Sequence, residues 1–316
     1  MNTESLLAPV CHICESKFSK TYTFKEKMFG FNDEFKYNEC SNCGCLQIAE
    51  IPGNMDKYYP PYYYSFTTKT ALLKRKPFIK RLFGRFRVKR VLKRKATALN
   101  YIKHINVGIK DRILEVGCGR GYLLCDLFNF GFENVEGVDK YLPEEIDHGY
   151  GVKIRKKELN ELDPDRYDVI MMNHVFEHMD QQHQVLNDCH RLLKKNGCLA
   201  ICIPILGDAW KIYGENWVQL DAPRHFFLHT LKSMEILADH TSFNIKHTLF
   251  DSSSFQFWAS ELYKKSIPLF SSKNNYGPYP YYENFSEQEM EDYESKAQQL
   301  NELKRGDTAV FYLYKK

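Results

Sequence analysis

The stretch DRILEVGCGRGYLLCDL, residues 111–127, constrains the fold of this chain more than any other part of the sequence. A short apolar run is followed by a turn that contains Gly117, Gly119 and Gly121, and then by a helical pattern. This order predicts a buried strand, a tight turn and a helix. In open α/β sheets such a turn lies beyond the carboxyl end of its strand, where ligands bind. The glycine spacing therefore bears on the ligand as well as on the fold.

The rest of the chain continues the alternation of apolar runs and helical segments. Strands are predicted at residues 112–116, 135–138, 152–154, 168–172 and 198–204, and helices at 122–130 and 182–193. Strands separated by helices of this length predict an α/β fold, with a doubly wound, mostly parallel sheet. The segment 307–314 alternates in character and predicts a late antiparallel strand near the edge of the sheet.

The glycine turn fits neither of two common phosphate-binding motifs. A dinucleotide fingerprint requires Gly-x-Gly-x-x-Gly, and Tyr122 stands where its third glycine belongs. A P-loop requires Gly-Lys-Ser/Thr, which this turn lacks. Glu115 suits a ligand with a cation or hydroxyls better than a pyrophosphate, and Asp139 can accept hydrogen bonds from ribose hydroxyls. An amine, a ribose and no phosphate together describe S-adenosylmethionine.

These residues, with RYDVIMMNHVFEH and LKKNGCLAICIP, resemble class I S-adenosylmethionine-dependent methyltransferases over about residues 108–250. The resemblance implies a Rossmann-like sheet of seven strands. It also implies that the glycine loop wraps the methionine half of the cofactor, that Asp139 holds the ribose and that Glu158 approaches the adenine. The predicted cofactor-binding residues are Glu115, Gly117, Cys118, Gly119, Gly121, Asp139, Glu158, Asn173 and His174.

Two Cys-x-x-Cys pairs near the N-terminus indicate a zinc site. Cys11 and Cys14 are separated by 25 residues from Cys40 and Cys43, and the intervening segment can form a hairpin. Four thiolates on two tight turns predict a closed, tetrahedral and structural site. A bound metal would also stabilise a segment too small to fold by burial alone. Coincidental cysteines, or His12 as a substitute ligand, are the alternatives.

Two clusters contain candidate catalytic residues. A hydroxyl acceptor must lose a proton, and histidine is suited to accept it near neutral pH. Glu177 and His178 follow the fourth predicted strand, where a structural or cofactor-orienting role is an equal alternative. His225 lies in DAPRHFFLHT, after the fifth strand, and is predicted to be a base or an acceptor ligand. Arg224 suits an acidic group on the acceptor or an ion pair with Asp221.

Composition divides the chain into three regions. We expect a zinc-ribbon-like module at 1–50, a Tyr/Pro-rich linker and basic helix at 51–100, and a methyltransferase domain at 101–316. Residues 74–95 contain no acid and are about half Lys and Arg. This segment predicts a helix packed on the sheet, a peripheral membrane contact or an attraction for a phosphate-bearing acceptor. The net charge of +4 is too small to imply a nucleic-acid partner by itself.

The expected function is methyl transfer to a small molecule or glycan, with a sugar hydroxyl as the preferred acceptor. The paired cysteines, the YYPPYYYSF linker, DAPRHF and GDTAVFYLYK resemble bacterial methyltransferases that act on surface-polysaccharide sugars or secondary metabolites. Sugar C-methyltransferases of this group carry a further C-terminal domain that we do not expect in this chain, so we expect O-methylation and not C-methylation. An RNA methyltransferase that uses the zinc ribbon and basic helix is one alternative, although an Asn/Asp-Pro-Pro-Tyr-like motif is missing. A non-catalytic cofactor-binding module is another.

The sequence also bears on cellular location. No apolar run approaches the roughly 20 residues that a membrane span requires. The N-terminal residues lack the basic start and apolar stretch of a secretory signal. We therefore expect a cytoplasmic protein.

Overall fold

A computed structural model describes residues 9–61, 63, 101–270 and 284–316 of the chain. The basic segment 74–95 and much of the predicted linker lie outside these ranges. The predictions that this segment forms a helix, meets a membrane or attracts an acceptor therefore concern residues outside the described part. Within the described ranges, every helix is too short or too polar to cross a lipid bilayer.

The described residues form two sheets and several helices. The strands, in chain order, are β1 (Phe18–Lys25), β2 (Glu34–Cys40), β3 (Leu46–Ile48), β4 (Arg112–Val116), β5 (Asn134–Val138), β6 (Ile146–Asp147), β7 (Lys153–Arg155), β8 (Tyr167–Asn173), β9 (Leu193–Pro204), β10 (Phe227–Leu228), β11 (Phe243–Phe250) and β12 (Thr308–Lys315). The α-helices are α1 (Tyr122–Phe130), α2 (Gln182–Leu192), α3 (Asp208–Tyr213), α4 (Leu231–His240), α5 (Phe255–Lys264) and α6 (Glu287–Glu302). Short 3-10 helices occupy Met55–Tyr58, Leu159–Glu161, Phe176–His178, Gly214–Asn216 and Val218–Leu220.

The larger sheet has the strand order β11-β12-β9-β8-β4-β5-β7-β6. Strands β9, β8, β4, β5 and β7 pair in parallel, as predicted from the alternation of strands and helices. The doubly wound, mostly parallel fold is therefore confirmed. The antiparallel strand β6 has only two residues and adds an eighth strand to the seven that were expected.

The central strands are apolar because both faces of the sheet are covered. Along β8, Ile170 and Met172 pack into a core cluster on one face, whereas Val169 and Met171 pack into a cluster on the other. Successive side chains of a strand point to opposite faces, so a strand that is covered on both sides consists of a continuous apolar run. This is why these strands are visible in the sequence.

The predicted C-terminal strand is antiparallel and lies near the edge of the sheet, as expected. Strand β12 lies between β9 and β11 and is antiparallel to both. Its first six residues are buried, which agrees with an internal position. The edge belongs to β11, whose exposed polar residues gave no clear strand pattern in the sequence.

The smaller sheet has the order β1-β2-β3-β10. Strands β1 and β2 form the antiparallel hairpin expected between the two cysteine pairs. The fourth strand comes from a distant part of the chain, because Phe227 pairs with Gln47 and Leu228 pairs with Leu46. The N-terminal segment is thus joined by a sheet to the loop that follows β9.

Asp307, just before β12, is a carboxylate buried in this region of the fold. Trp217 Nε1 donates a hydrogen bond to its Oδ2 at 2.9 Å. Burial nevertheless raises the pKa of Asp307 from an ordinary 3.8 to about 6. The folded protein therefore binds a proton here more tightly than the unfolded chain, and stability is lost as the pH rises through this interval.

We predict that Asp307→Asn stabilises the protein at pH 7.5, because the amide still accepts from Trp217 but carries no buried charge. The free energy of unfolding should rise by up to about 3 kcal/mol at pH 7.5 and show a smaller gain at pH 4. Denaturant unfolding at both pH values measures the difference. Asp163→Asn, at a side chain that is 81% exposed, is the control. An effect of Asp307→Asn that is equal at both pH values would contradict the prediction.

Candidate functional site

The carboxyl ends of β4, β5 and β8 meet at one edge of the larger sheet. Strand β4 is central and pairs in parallel with β5 on one side and β8 on the other. Glu115 lies on β4, Asp139 directly follows β5, and Asn173 ends β8. The chain passes from β4 to β5 and β7 on one side of β4, and then crosses to β8 and β9 on the other side. Open α/β sheets bind ligands at such a switch point.

The loop between β4 and α1 has a backbone that requires glycine. Gly117 has a φ of +64°, and a Cβ atom there would lie 2.4 Å from Val175 Cγ1. Gly121, the residue before α1, has a φ of +76°, and its Cβ would lie 2.4 Å from Ile154 Cδ1. Both positions combine a left-handed backbone with no room for a side chain. The loop is consequently compact and packs against Val175.

Asp139 is hydrogen-bonded to this loop and to the turn after β5. Its Oδ2 accepts from Gly119 N and its Oδ1 accepts from Tyr141 N, each at 2.9 Å. A carboxylate oxygen has two lone pairs, so each oxygen can accept a further hydrogen bond. The carboxylate is therefore oriented by the backbone and still able to bind a pair of hydroxyls.

Glu115 is buried beneath the same edge. Its Oε2 makes no hydrogen bond within the residues that the structure describes. Burial, followed by the negative charge of Asp139, raises the pKa of Glu115 to about 8. A buried carboxylate without a partner is costly when ionised, and a cationic ligand beside it would remove that cost.

Cys118 and Glu158, two of the predicted cofactor-binding residues, differ in their exposure to solvent. Cys118 is buried, and its Sγ lies so close to Gly137 that a Cβ there would be 2.4 Å away. Glu158 is exposed and forms an ion pair of 3.7 Å with Lys140, the residue after Asp139. Cys118 is thus part of the packing under the loop, whereas Glu158 stands at the outer margin of the site.

Asn173 and His174 lie where β8 ends. The Oδ1 atom of Asn173 is buried and has no hydrogen-bond partner in the described ranges. His174 has a φ of +51°, an uncommon value for a residue other than glycine. Its Nε2 lies 3.7 Å from Cys202 Sγ, and its Nδ1 lies 3.4 Å from Glu177 Oε1. Strained backbone of this kind is often found at functional sites.

Glu177, His178 and His225, the three predicted catalytic residues, form one cluster. One potential ligand atom from each lies within 4.8 Å of the others. The rings of His178 and His225 have centroids 4.7 Å apart. Glu177 and His178 belong to a single 3-10 turn after β8, and His225 belongs to the loop before β10. The structure therefore brings together side chains that are almost 50 positions apart.

Both imidazoles of this cluster are oriented by backbone carbonyls. His178 Nδ1 donates to Arg224 O, and His225 Nδ1 donates to Gln219 O, each at 2.7 Å. In the neutral ring the remaining nitrogen, Nε2, then carries no proton. His225 Nε2 lies 3.9 Å from Glu177 Oε1.

The charges in the cluster follow from burial and from the neighbouring rings. Burial raises the pKa of Glu177, but the adjacent His174, followed by His178 and His225, outweighs it and lowers the pKa to about 2. Burial, followed by the charge of His178, lowers the pKa of His225 to about 4. At neutral pH the cluster therefore contains an ionised carboxylate and a neutral His225.

Arg224 forms the predicted ion pair with Asp221. It is fully buried, and its Nε donates to both oxygens of Asp221 at 3.1 and 3.0 Å. Its Nη2 donates to Glu26 Oε1 at 2.9 Å, and its Nη1 donates to Tyr58 O at 3.2 Å. Arg224 cannot also reach a phosphate or carboxylate of an acceptor, so that prediction is wrong. It instead connects the loop of His225 to the N-terminal segment.

The four cysteines of the two pairs lie together. Cys11 Sγ is 3.6 Å from Cys43 Sγ, and Cys14 Sγ is 3.4 Å from Cys40 Sγ. Four sulfurs each about 2.3 Å from a zinc ion would be roughly 3.8 Å apart in a tetrahedron. Backbone N–H groups of Ile13, Asn42 and Cys43 approach the sulfurs at 3.4 Å. The donor set and spacing fit a closed zinc site.

The cysteine cluster packs against the loop that carries His225. Thr230 Oγ1 donates to Cys43 O at 2.6 Å, and Tyr37 OH donates to His225 O at 2.8 Å. The backbone of β3 continues this contact, since Ile48 N donates to Phe226 O at 2.9 Å. Hydrogen bonds of side chains and backbone therefore join the N-terminal segment to the loop that carries His225.

Sequence reasoning missed the N-terminal residues that approach this loop. Tyr59 OH lies 3.3 Å from His178 Nδ1, although its segment looked like a linker. Glu26 is fully buried against Arg224, but a single acid inside a predicted hairpin gives no signal of such a role. Only the spacing of Asp221 and Arg224 suggested an ion pair in advance.

We predict that Cys14→Ser abolishes zinc retention. Zinc content should fall from one ion per chain to none, and the thermal midpoint should fall because metal binding contributes directly to folding. Elemental analysis and thermal unfolding measure both. Cys45→Ala is the matched control, since Cys45 is a buried cysteine whose thiol donates to the Leu46 carbonyl and which is not one of the four clustered cysteines. Wild-type protein without metal, or full zinc in Cys14→Ser, would contradict the prediction.

Comparison with known proteins adds a family assignment. A family model described as a methyltransferase domain matches residues 71–248, more than half of the chain. The chain is 35% identical over 144 residues to a ubiquinone biosynthesis O-methyltransferase of Maricaulis maris, covering 40% of this chain and 55% of that protein. It is 31% identical over 155 residues to a protein of the same name from Rickettsia conorii, covering 43% and 52%. The chain thus spans about half the length of the curated relatives it matches.

Solved structures include similar chains at low identity. One is a geranyl diphosphate C-methyltransferase from Streptomyces coelicolor, with a TM-score of 0.46, 13% identity and coverage of 69% of this chain and 75% of that chain. Another is an S-adenosylmethionine-dependent methyltransferase from Archaeoglobus fulgidus, with a TM-score of 0.42, 19% identity and coverage of 76% and 100%. The family model, together with the strand order and glycine loop described above, decides the assignment. The chain belongs to the methyltransferase domain family, in the class I S-adenosylmethionine-dependent form that the sequence resembles.

Proposed function

We propose that this protein transfers a methyl group from S-adenosylmethionine to a hydroxyl group of a small molecule. The observation that carries the proposal is the set of two acids at the switch point of the sheet. Glu115 lies buried without a partner for Oε2, and Asp139 retains acceptor capacity on both oxygens. One suits the cationic part of the donor and the other suits its ribose.

The glycine loop positions the donor in this proposal. A side chain at Gly117 would collide with Val175, and the backbone of this loop wraps the methionine half of the cofactor. Asn173 and His174, at the end of β8, line the methionine side of the cofactor site. Cys118 packs its side chain against Gly137 of β5 and so holds the loop on the sheet. Glu158 lies at the outer margin, in the direction of the adenine. Orientation of this kind supplies most of the catalysis when the donor is already activated.

The acceptor hydroxyl is proposed to meet the cluster of Glu177, His178 and His225. The cluster begins two residues after Val175, which packs on the glycine loop, so donor and acceptor sites adjoin. The acceptor oxygen forms a bond to the methyl carbon as the carbon–sulfur bond breaks, and the sulfur retains the electron pair. The hydroxyl proton passes to an imidazole Nε2 and then to solvent, leaving a methyl ether and S-adenosylhomocysteine.

Two observations bear on the class of acceptor. Relatives named ubiquinone biosynthesis O-methyltransferase support a hydroxyl acceptor for this chain. A sugar hydroxyl stays a prediction from the N-terminal cysteine pairs and the DAPRHF segment. The zinc ion that the four cysteines fit would have a structural role, because the protein supplies all four ligands.

We predict that binding of S-adenosylhomocysteine depends on Asp139. In Asp139→Ala the affinity should fall about 100-fold, since two charge-assisted hydrogen bonds to the ribose are lost. Isothermal titration measures this, and Asp163→Ala is the control at an exposed acid. Unchanged affinity in Asp139→Ala would contradict the proposed cofactor site.

We further predict that cofactor binding is coupled to ionisation of Glu115. Because the pKa of Glu115 is raised to about 8 in the free protein, a cationic ligand should displace its proton below that pH. Affinity for S-adenosylmethionine should therefore rise between pH 6.5 and pH 8, by at most tenfold per pH unit. Glu115→Gln should remove this protein-derived part of the pH dependence. An identical slope in wild type and variant would contradict the assignment.

A set of acceptors tests the reaction itself. Radiolabelled S-adenosylmethionine should yield a labelled methyl ether with a catechol or with a nucleotide sugar, and the two arms separate a phenolic from a sugar hydroxyl. The variant Asp139→Ala should give no product in either arm. Tight cofactor binding without transfer to either class would contradict the hydroxyl-acceptor proposal.

A further inference from the structure

His174 directly follows the last residue of β8, and its imidazole lies beside the buried carboxylate of Glu177. We propose that His174 is the base that takes the proton of the acceptor hydroxyl, and that Glu177 positions its ring. The inference rests on the proposed function, because it names the imidazole that acts in the transfer step. It gives Glu177 the role of a positioning residue.

The pairing of His174 with Glu177 is the first argument. Nδ1 of His174 lies 3.4 Å from Glu177 Oε1, which is an ion-pair distance. The Glu177 side chain is fully buried, whereas the His174 side chain is 36% exposed. A carboxylate beside Nδ1 holds the proton on that nitrogen and leaves the lone pair on Nε2. A base that is oriented by a third group in this way is a recurrent feature of sites that remove a hydroxyl proton.

The backbone of His174 is the second and independent argument. Its N–H donates to Cys202 O at 2.9 Å, and its φ of +51° is uncommon for a histidine. Such strained residues are concentrated at functional sites. The next residue, Val175, is the one with which a side chain at Gly117 would collide. The proposed base therefore adjoins the loop that is proposed to hold the methyl donor.

The other two histidines of the site are less suited to this role. The side chain of His225 is only 7% exposed. Burial, followed by the charge of His178, lowers the pKa of His225 to about 4, which makes it a weak base at neutral pH. His178 lies further from the end of β8, where its Nδ1 is 2.7 Å from Arg224 O and 3.3 Å from Tyr59 OH.

The charges around His174 determine when it can act as a base. Burial lowers the pKa of His174, but Cys202, followed by Glu177, outweighs burial and raises the pKa well above its ordinary value. Nε2 lies 3.7 Å from Cys202 Sγ on β9, and Asp307, before β12, also interacts with the charge of the ring. A base of raised pKa accepts a proton more strongly, but the ring must first be neutral. The rate of transfer should therefore rise with pH until the ring is neutral.

The proposed step moves one proton and one methyl group. The acceptor proton passes to His174 Nε2 as the acceptor oxygen forms its bond to the methyl carbon. The carbon–sulfur bond of the donor breaks, and its electron pair stays on the sulfur. The imidazolium that forms is stabilised by the Glu177 carboxylate and then releases its proton to solvent.

Methyl transfer by the full chain, at saturating donor, tests the role of His174. The acceptor is whichever of catechol and a nucleotide sugar the wild type methylates. In His174→Asn we expect kcat to fall by at least about 100-fold, with the affinity for S-adenosylhomocysteine changed by less than about fivefold. Asparagine tolerates a left-handed backbone, so this variant removes the imidazole and keeps the turn. His240→Gln, at an exposed histidine of α4, is the control and should keep the wild-type rate.

The pH dependence of kcat in Glu177→Gln separates a positioning role from a structural one. Without the carboxylate the pKa of His174 should fall, so the rise of kcat with pH should move by about one pH unit or more to lower pH. The acceptor contributes equally to both curves, and binding of S-adenosylhomocysteine verifies folding. A merely structural loss would lower kcat by the same factor at every pH.

An NMR titration of the imidazoles gives a readout that does not depend on turnover. The His174 signal is identified by its absence in His174→Asn, and in the wild type it should titrate above the ordinary range of histidine. A signal that titrates below that range would overturn the pairing with Glu177.

The outcomes separate this inference from the proposed function. Transfer in His174→Asn within about tenfold of wild type overturns the inference and leaves methyl transfer standing. An unmoved pH–rate curve in a Glu177→Gln variant that binds S-adenosylhomocysteine overturns the role of Glu177. A wild type that binds S-adenosylhomocysteine but methylates neither acceptor overturns the proposed function, and this inference with it.

Discussion

The buried contact of Arg224 with Asp221 and Glu26 is the interaction on which the arrangement of the site depends. All three side chains are withdrawn from solvent. Burial raises the pKa of Asp221, but the guanidinium outweighs this effect and holds it below its usual range. Removing one member of such a buried network typically costs about 3–5 kcal/mol, since it leaves an uncompensated charge. Glu26 belongs to the N-terminal segment, whereas Asp221 and Arg224 belong to the loop that carries His225.

This contact explains why a cysteine-rich segment and a methyltransferase fold share one chain. The segment supplies three strands of the smaller sheet, and the fourth strand, β10, follows His225 almost directly. Tyr37 donates to the His225 carbonyl, and Phe226 N donates to the Glu177 carbonyl. The candidate catalytic cluster therefore lies between the two sheets, with the glycine loop on one side and the N-terminal segment on the other.

The parts of this structure that could be predicted from the sequence are those with a local signal. Strands β4 and β8 are covered on both faces and consist of apolar runs. The glycine loop requires residues that tolerate a left-handed backbone, so its position was visible. The spacing within the two Cys-x-x-Cys pairs indicated a metal site, and the length of the segment between them predicted the hairpin.

The remaining features depend on contacts between distant positions. Strand β10 has two residues, too few to show any periodicity. Glu26, the second acidic partner of Arg224, is 198 positions away. Tyr59 looked like part of a linker because its neighbours are prolines and tyrosines. The sequence indicated Asp221 as a partner of Arg224, whereas only the fold brings Glu26 within reach.

Hydrogen exchange of the backbone tests most directly whether the N-terminal segment and the candidate site form one unit. The comparison is between wild type and Glu26→Gln, which removes one charge from the buried network at nearly constant shape. The account predicts that two amides lose protection together: that of Ile48, which donates to Phe226 O across the two segments, and that of Phe226, which donates to Glu177 O. Loss of protection confined to the residues around Glu26, with Phe226 unchanged, would contradict the account.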